Sequence, residues 1–239
     1  MLNRKQRVRV KETFSKWVPV WSGIPQGSLL GPILFIIYIN DLVEQCNNGS
    51  EIYLYADDAK LFSYVKCEED SFRLQKDIDS VIQWMEMWLL QLNTTKCKAM
   101  TYGRGPGIYT SYSISSDAVQ KIESIKDLGV TFDNKLKFDE HINNKIKKAY
   151  QTLGIIKRHF IYLTPDSFVT FYKTMIRAHL EYAVSVWNPH YQTLIEKLEK
   201  VQKRAAKLVI TIKKLHYEER LRRLKLPTLK YRRIKRRHD

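Results

Sequence analysis

The sequence predicts an α+β fold, in which a mixed part of short strands and helices precedes a mainly helical part. Up to about residue 137, apolar and polar residues alternate over short stretches that are typical of strands, with two longer helical stretches between them. From residue 138 onward, apolar residues recur at three- and four-residue steps over most of the chain. We therefore expect two domains, 1–137 and 138–239.

The mixed part begins with extended stretches over residues 4–20, where basic and apolar positions alternate. A loop follows, because glycine and proline are dense between Ser22 and Ser28. Ser28 could cap the next helix, which would place Gly31 and Pro32 in its first turn, where a proline costs least. This helix is expected to end near Cys46.

A short hairpin is predicted next, because apolar and aromatic residues alternate over 52–56 ahead of a tip at Asp57-Asp58. The remaining elements of the mixed part are a long helix over 68–92, a strand over 96–102 and short strands over 112–132, around Leu128-Gly129.

The helical part is predicted to contain three helices, over 139–160, 165–182 and 191–212. Pro165 follows Thr164, a good signal for a helix start. The tail over 220–239 holds ten Lys and Arg against one acidic residue, and we expect it to be a fraying helix.

Composition excludes several classes of protein. Hydrophobic residues make up 44% of the 239 residues, which is enough for a core and excludes wholesale disorder. The three cysteines lie far apart, which excludes a disulfide scaffold and a zinc module. The longest apolar stretch, 29–39, is shorter than the roughly 20 residues of a membrane span. We expect an intracellular protein of the nucleus or cytoplasm, not a secreted one.

The positive charge is confined to the last two-fifths of the chain. Up to Asn144 there are 17 Lys and Arg against 18 Asp and Glu, and from Lys145 onward there are 24 against 7. Such a one-sided basic block indicates an anionic partner, either nucleic acid or a membrane surface. The tail lacks the wide apolar face that a membrane-bound helix needs, so nucleic acid is favoured and no membrane partner is expected.

The pair Asp57-Asp58 is the sharpest chemical feature. Adjacent carboxylates repel each other, and a bound divalent cation relieves that repulsion. Mg²⁺ prefers one or two carboxylates together with substrate phosphates. The alternative is that Asp-Asp is an ordinary turn pair, which is common.

The loop Gly23–Ser28 is the second feature. Its glycines let the backbone approach a ligand closely, and Gln26 offers a donor and an acceptor to a base or sugar edge. The alternative is an ordinary loop that leads into a helix. Loop, apolar helix and acidic hairpin in this order are more specific together than any of them alone.

In order along the chain, these motifs resemble those of the reverse transcriptases of non-LTR, LINE-type, jockey-like retrotransposons. The residues that carry the resemblance are SGIPQGSLLGP over 22–32, YINDL over 38–42, YADD over 55–58, NTTKC over 93–97, KDLGV over 126–130 and RAHLEYA over 177–183. The similarity extends from about Arg4 to Arg237.

The resemblance implies a partial right-hand polymerase palm over 1–137, with a short antiparallel sheet, and a thumb-like helical region over 138–239. It implies that Asp57 binds two catalytic Mg²⁺ ions, with Asp58 as a weaker ligand or orienter. Lys96 would stabilise or protonate the leaving pyrophosphate. The implied partners are an RNA template, a DNA primer and deoxynucleoside triphosphates.

The resemblance also implies a role for two backbone segments. Pro25, Gln26 and Gly27 would lie along the pair of template base and incoming nucleotide. Leu128 and Gly129 would position the primer end, as a primer-grip hairpin does in the family.

The family also uses an aspartate on a strand ahead of the Gly-Ile-Pro-Gln-Gly loop, and a fingers subdomain. No acidic residue before Asp57 matches that aspartate. We therefore expect an N-terminally truncated reverse transcriptase that binds Mg²⁺ weakly and does not polymerise alone. Two alternatives are open: a non-catalytic, basic, nucleic-acid-binding relic, and an inert product that does not fold stably.

Overall fold

The structure is a computed structural model that describes residues 4–21, 23, 27–103 and 111–235. Its contacts divide the chain into a first unit, Met1–Cys97 with Ile108–Val119, and a second unit, Lys98–Gly107 with Gln120–Asp239. These units do not coincide with the ranges 1–137 and 138–239, because the strands from residue 120 onward pack with the helices. Helices and short strands occur in both units, which agrees with the predicted α+β class.

The N-terminal residues form a small antiparallel hairpin, as the alternation over 4–20 predicts. Strands β1 (Lys5–Gln6) and β4 (Val18–Pro19) pair with each other, and β2 (Arg9–Val10) pairs with β3 (Thr13–Phe14). The guanidinium of Arg4 donates a hydrogen bond of 2.6 Å to the carbonyl of Gly23. This bond links the hairpin to the loop that precedes the first helix.

Helix α1 (Leu30–Ile39) begins close to the predicted start, with Leu29 rather than the predicted Ser28 at the N-cap position. The Ser28 hydroxyl accepts a hydrogen bond of 3.2 Å from the Leu30 amide, and a 3₁₀ helix (Asn40–Gln45) continues the chain to the predicted end. The helix is apolar on all sides, yet Ile36 and Ile37 are 63% and 69% exposed. Such a helix is normally buried, so this surface is suited to be covered by further protein.

Strands β5 (Glu51–Tyr55) and β6 (Asp58–Phe62) form an antiparallel hairpin, and helix α2 (Glu68–Met87) follows. The inner face of the hairpin packs on a small core. The members of this core are Ile39, Leu42, Val81 and Trp84, with Ile52, Leu54 and Leu61 from the strands.

Asp77 of α2 fixes the chain that leads into β5. Its carboxylate accepts hydrogen bonds of 3.0 Å and 3.1 Å from the backbone amides of Asn48 and Ser50. Burial raises the pKa of this carboxyl, but the bonds from Ser50 and Asn48 outweigh it, and the net pKa is lowered.

The rest of the first unit consists of short elements. A 3₁₀ turn (Thr94–Lys96) follows α2, and β8 (Ser113–Ile114) pairs with β9 (Asp117–Ala118). The predicted strand over 96–102 is reduced to β7 (Lys98–Ala99), which lies in the second unit and pairs in parallel with β10 (Gln120–Lys121).

The second unit joins a hairpin, β11 (Ser124–Asp127) and β12 (Val130–Asp133), to a set of helices. The helices are α3 (Asp139–His159), α4 (Pro165–Phe171), α5 (Arg177–Glu181), α6 (Val184–Trp187), α7 (Gln192–Ala205), α8 (Tyr217–Arg223) and α9 (Leu229–Lys235), with a π turn (Tyr172–Ile176) and 3₁₀ turns (Ala206–Leu208, Ile210–Ile212). Their core includes the fully buried Phe168, Tyr172 and Trp187.

The expectation of a fraying tail is wrong for the residues up to 235. Leu221, Leu224 and Leu229 are buried in the core of the second unit, and so are the side chains of Arg220 and Arg233. In the sequence, the leucines that pack the tail against this core stand among many charged residues, so the charge dominates the pattern. None of the described helices is both long enough and apolar enough to cross a membrane.

The buried His141 predicts a stability that depends on pH. Its Nδ1 accepts a hydrogen bond of 3.0 Å from the Thr131 amide, and burial, then the Lys145 cation, lowers its pKa to about 4. Below pH 6.5, the ordinary pKa of histidine, His141 binds a proton in the unfolded state but not in the folded state. The contribution of His141 to the free energy of unfolding is therefore fully present above about pH 6.5. It falls as the pH drops toward 4, by about 2 kcal/mol between about pH 7 and 5.

Urea unfolding at several pH values measures this slope. In His141→Asn, an amide oxygen can replace Nδ1 as acceptor without titrating, so the slope should flatten. His179, whose pKa is also lowered by burial and by Lys145 and Lys148, adds an effect of the same sign. An unchanged slope in the variant would contradict the assignment.

Candidate functional site

The two adjacent aspartates lie at a tight hairpin turn. Because Tyr55 pairs with Asp58, the turn residues are Ala56 and Asp57, and Asp58 is the first residue of β6. The tip is thus one residue earlier than the predicted Asp57-Asp58. Ala56 has a φ of 51°, a left-handed conformation that is costly for alanine. A two-residue hairpin turn requires a residue of positive φ, and Ala56 supplies it here.

Both aspartate side chains are exposed, and within the described residues the structure records no hydrogen bond or ion pair of either carboxylate. Asp58 lies on the outer face of the hairpin, the face of its pairing partner Tyr55 and of Tyr53. These tyrosines are 62% and 57% exposed. The hairpin therefore presents carboxylates beside an open aromatic surface.

The donor set fits one edge of a magnesium site. Two unpartnered carboxylates are the protein contribution that Mg²⁺ accepts when substrate phosphates supply the other oxygens. Across residues 4–21, 23, 27–103 and 111–235, however, no group of three or more His, Cys, Asp or Glu is placed to hold a metal ion.

Lys96 lies in the first unit, as the aspartates do. It ends the 3₁₀ turn Thr94–Lys96, its side chain is exposed, and its amide donates a hydrogen bond of 3.1 Å to the Asn93 carbonyl. No contact between Lys96 and Asp57 or Asp58 is recorded in the described part of the chain. Its predicted role at the pyrophosphate stays a prediction.

The proline-glutamine loop is described in part. Pro25 and Gln26 lie outside the described residues. Gly27 is exposed with a φ of 80°, and a Cβ at this position would meet open space. A ligand could therefore approach the Gly27 backbone closely.

Leu128 and Gly129 form the two-residue turn between β11 and β12 in the second unit. Their φ angles are 42° and 82°, so both residues are left-handed, as a type I′ hairpin turn requires. The Tyr182 hydroxyl donates a hydrogen bond of 2.6 Å to the Leu128 carbonyl. The Tyr182 Cε1 atom lies 3.1 Å from where a Cβ of Gly129 would be. Tyr182 thus holds the turn from outside the hairpin.

A lysine lies beside Tyr182, the residue that holds this turn. The Nζ of Lys145 lies 4.9 Å from the centroid of the Tyr182 ring. Burial, then Lys148 and Lys126, lowers the pKa of Lys145. We call Lys126, Lys145 and Lys148 the cationic cluster. Because its members repel one another, an anion bound among them would be stabilised.

Neither Tyr182 nor the cationic cluster is predicted from the sequence to be part of a site. The signal for Tyr182 was its place in the segment over 177–183. The lysines at 145 and 148 are spaced three apart on one helix, a pattern that equally fits a solvated face.

Replacing Gly129 with alanine should destabilise the protein by about 2 kcal/mol, because alanine is strained at positive φ and its Cβ would press on the Tyr182 ring. The ring cannot move away without breaking its bond to Leu128. Thermal unfolding measures the loss. The control is Gly49→Ala, another left-handed glycine with open space around it, which carries only the strain. Equal losses in the two variants would show that the Tyr182 contact adds nothing.

Comparisons with known proteins cover both units. A family model described as reverse transcriptase (RNA-dependent DNA polymerase) matches residues 1–132. The RNA-directed DNA polymerase from mobile element jockey of Drosophila melanogaster is 32% identical over 141 residues, which cover 56% of this chain and 15% of that protein. The jockey polymerase of Drosophila funebris is 28% identical over 193 residues, covering 76% and 21%.

A probable RNA-directed DNA polymerase from transposon X-element of Drosophila melanogaster is 25% identical over 221 residues, which cover 86% of this chain and 24% of that protein. The chain therefore spans between 15% and 24% of the length of these relatives. No solved structure gives a significant match. The resemblance found in the motifs is confirmed.

Proposed function

Because the chain belongs to the reverse transcriptase (RNA-dependent DNA polymerase) family, we propose that it forms the catalytic hairpin of the palm and the thumb of an RNA-directed DNA polymerase. The observation that carries this proposal is the exposed, unpartnered Asp57-Asp58 pair at a strained turn within the matched residues 1–132. The substrates proposed are a DNA primer on an RNA template and deoxynucleoside triphosphates. The compartment proposed is the nucleus or the cytoplasm.

The reaction is nucleotidyl transfer. The primer 3′-hydroxyl loses its proton to water and attacks the α-phosphate of the incoming nucleotide, a new phosphodiester bond forms, and the bond to pyrophosphate breaks. Asp57 and Asp58 would hold Mg²⁺, which when bound supplies charge stabilisation at the transferring phosphoryl group. Lys96 is proposed to neutralise or protonate the leaving pyrophosphate. Pro25, Gln26 and Gly27 are proposed to line the nascent base pair.

The turn at Leu128-Gly129 is proposed to position the primer end. The hydrogen bond from Tyr182 fixes the Leu128 carbonyl. The cationic cluster offers positive charge to the phosphates of the nucleic-acid backbone. Other exposed basic residues of the helical region would grip the duplex through its phosphates, as a thumb does.

We propose that a carboxylate from another polypeptide segment completes the metal site, and that the apolar surface of α1 is covered by that segment. Two observations support this: the described residues offer no third metal ligand, and Ile36 and Ile37 are exposed. On this proposal the chain alone binds Mg²⁺ weakly and does not extend a primer.

Primer extension tests the proposal. In a chimaera, this chain replaces the matching segment of the Drosophila funebris jockey polymerase. We expect the chimaera to extend a DNA primer on an RNA template with Mg²⁺ or Mn²⁺, and the chain alone to give no product. An inactive chimaera that folds and binds duplex would contradict the proposal, and extension by the chain alone would contradict the incomplete metal site.

A second candidate is a non-catalytic nucleic-acid-binding protein, which the excess of 24 basic over 7 acidic residues from Lys145 onward favours. It predicts duplex binding that weakens steeply with salt, with a slope of about −0.9 per phosphate contacted. Binding of this kind without activity in the chimaera would favour it over the polymerase.

A further inference from the structure

We propose that the second unit carries a docking groove for an acidic, amphipathic segment of a partner protein. The groove lies between the C-terminal half of α3 and the turns that follow α7. It does not include the cationic cluster or the Leu128-Gly129 turn, and it is independent of the proposed polymerase function.

The groove combines an apolar floor with a basic rim. Its volume is 490 Å³, Leu153 and Leu208 contribute to the floor, and Lys157, Lys207 and Lys213 stand exposed at the rim. Arg204 adds a fourth cation, and none of the residues that line the groove is acidic. Charge complementarity therefore requires an anionic occupant, and the apolar floor requires one with aliphatic side chains.

Gly154 opens the floor of the groove. It lies inside α3, where glycine costs about 0.5–1 kcal/mol relative to alanine. A Cβ at this position would meet nothing within 4 Å, so no close neighbour in the fold requires a glycine there. Its effect is to leave a depression into which an apolar side chain of a partner can fit.

The aromatic residues of the groove are poorly placed to stack nucleic-acid bases. The Phe160 ring lies 4.5 Å from the Phe171 ring, and the Arg204 guanidinium lies over the Tyr150 ring at 5.4 Å. Binding of single strands depends on free aromatic faces as well as on charge. Two of the exposed side chains that line the groove are aliphatic, with Ile161 74% and Ile210 55% exposed.

The groove and the cationic cluster lie on different flanks of α3. At about 100° per residue, Gly154 and Lys157 fall on one side of the centre line of the buried stripe of the helix, and Lys145 and Lys148 fall on the other. A ligand at the Leu128-Gly129 turn would therefore leave the groove free. We infer that the groove takes an amphipathic helix, whose leucines fill the floor and whose glutamates meet the rim.

Fluorescence anisotropy with the full chain tests the proposal. The probe is a labelled helical peptide of about 16 residues, with leucines on one face and glutamates elsewhere. Two variants remove the features of the groove: Gly154→Phe fills the floor, and the double variant Lys207→Glu/Lys213→Glu reverses the rim. Lys197→Glu/Lys200→Glu is the matched control, since these exposed lysines of α7 do not line the groove.

We expect both groove variants to weaken peptide binding by about tenfold or more, and the control to change it less than about twofold. A peptide with glutamine in place of glutamate lacks the negative charge that meets the rim. It should therefore bind the unmodified chain about as weakly as the groove variants bind the original peptide. Circular dichroism confirms that each variant is folded, and the rim variant, whose lysines are exposed, tests the proposal even if Gly154→Phe unfolds. Equal binding by all variants would overturn the proposal. The proposal would also be overturned if single-stranded RNA displaced the peptide and the Gly154→Phe variant no longer bound that RNA.

Discussion

Substituting Asp57 with asparagine in the active chimaera is expected to reduce primer extension by about 1,000-fold or more. The change keeps the size of the side chain and the turn, but removes the charge that would hold Mg²⁺. The metal contributes several kcal/mol of charge stabilisation at a transferring phosphoryl group, and about 4 kcal/mol corresponds to that factor. The rate of single-nucleotide addition at saturating primer and template is the measurement.

The control for this experiment is Asp79→Asn. Asp79 is also an exposed carboxylate of the first unit, on α2, and it accepts a hydrogen bond of 2.8 Å from Gln75. We expect its loss to leave the rate within a few-fold of the unmodified chimaera, and Asp58→Asn to give an intermediate loss. If Asp57→Asn were as active as the control, the hairpin turn would not be a metal site.

Much of the local structure could be predicted from the sequence because it depends on local interactions. The hairpin over 52–62, helix α3 and the start of α4 were predicted nearly in place. Thr164 confirms the last of these, since its hydroxyl accepts a hydrogen bond of 3.3 Å from the Ser167 amide. Helical periodicity and helix capping depend on residues that are close together in the sequence, so both can be recognised from the sequence alone.

The failures involve contacts between distant residues. The helix predicted over 165–182 is interrupted by the π turn at Tyr172–Ile176, where the Tyr172 hydroxyl donates to buried Gln202. The tail was predicted to fray, yet its leucines dock into a core made by helices far earlier in the chain. No periodicity within the tail identifies the surface that will receive it.

The candidate site shows the same division. Asp57, Gly129 and the other motif residues were named from the sequence. Which groups surround them was not predicted, because Tyr182 reaches Leu128 across 54 residues of sequence. The segment over 177–183 thus acts as a structural junction: Tyr182 holds the turn, while Glu181 holds the tail.

Replacing Glu181 with alanine is expected to destabilise the protein by about 3 kcal/mol, since it leaves two partly buried arginines without their counter-ion. The Glu181 carboxylate accepts bonds of 2.5 Å and 3.0 Å from Arg232 of α9 and lies 3.6 Å from Arg177. Its side chain is 9% exposed, so solvent screens these charges little. The hydrogen bond to Glu181 raises the pKa of Arg232, although burial opposes it. Without Glu181 the arginine still stays charged, because the ordinary pKa of a guanidinium lies far above neutral pH.

Denaturant unfolding measures the loss. Limited proteolysis should also show earlier cleavage of the tail, because Arg232 of α9 then lacks the ion pair that holds the tail. Glu196→Ala is the control: this exposed glutamate of α7 is bonded to Gln192, and its removal should cost less than about 0.5 kcal/mol. Arg232→Met should cost less than Glu181→Ala, because it removes one charge and leaves Glu181 paired with Arg177. If Glu181→Ala were as stable as the control, the tail would be held by its leucines, and the ion pairs would contribute nothing measurable.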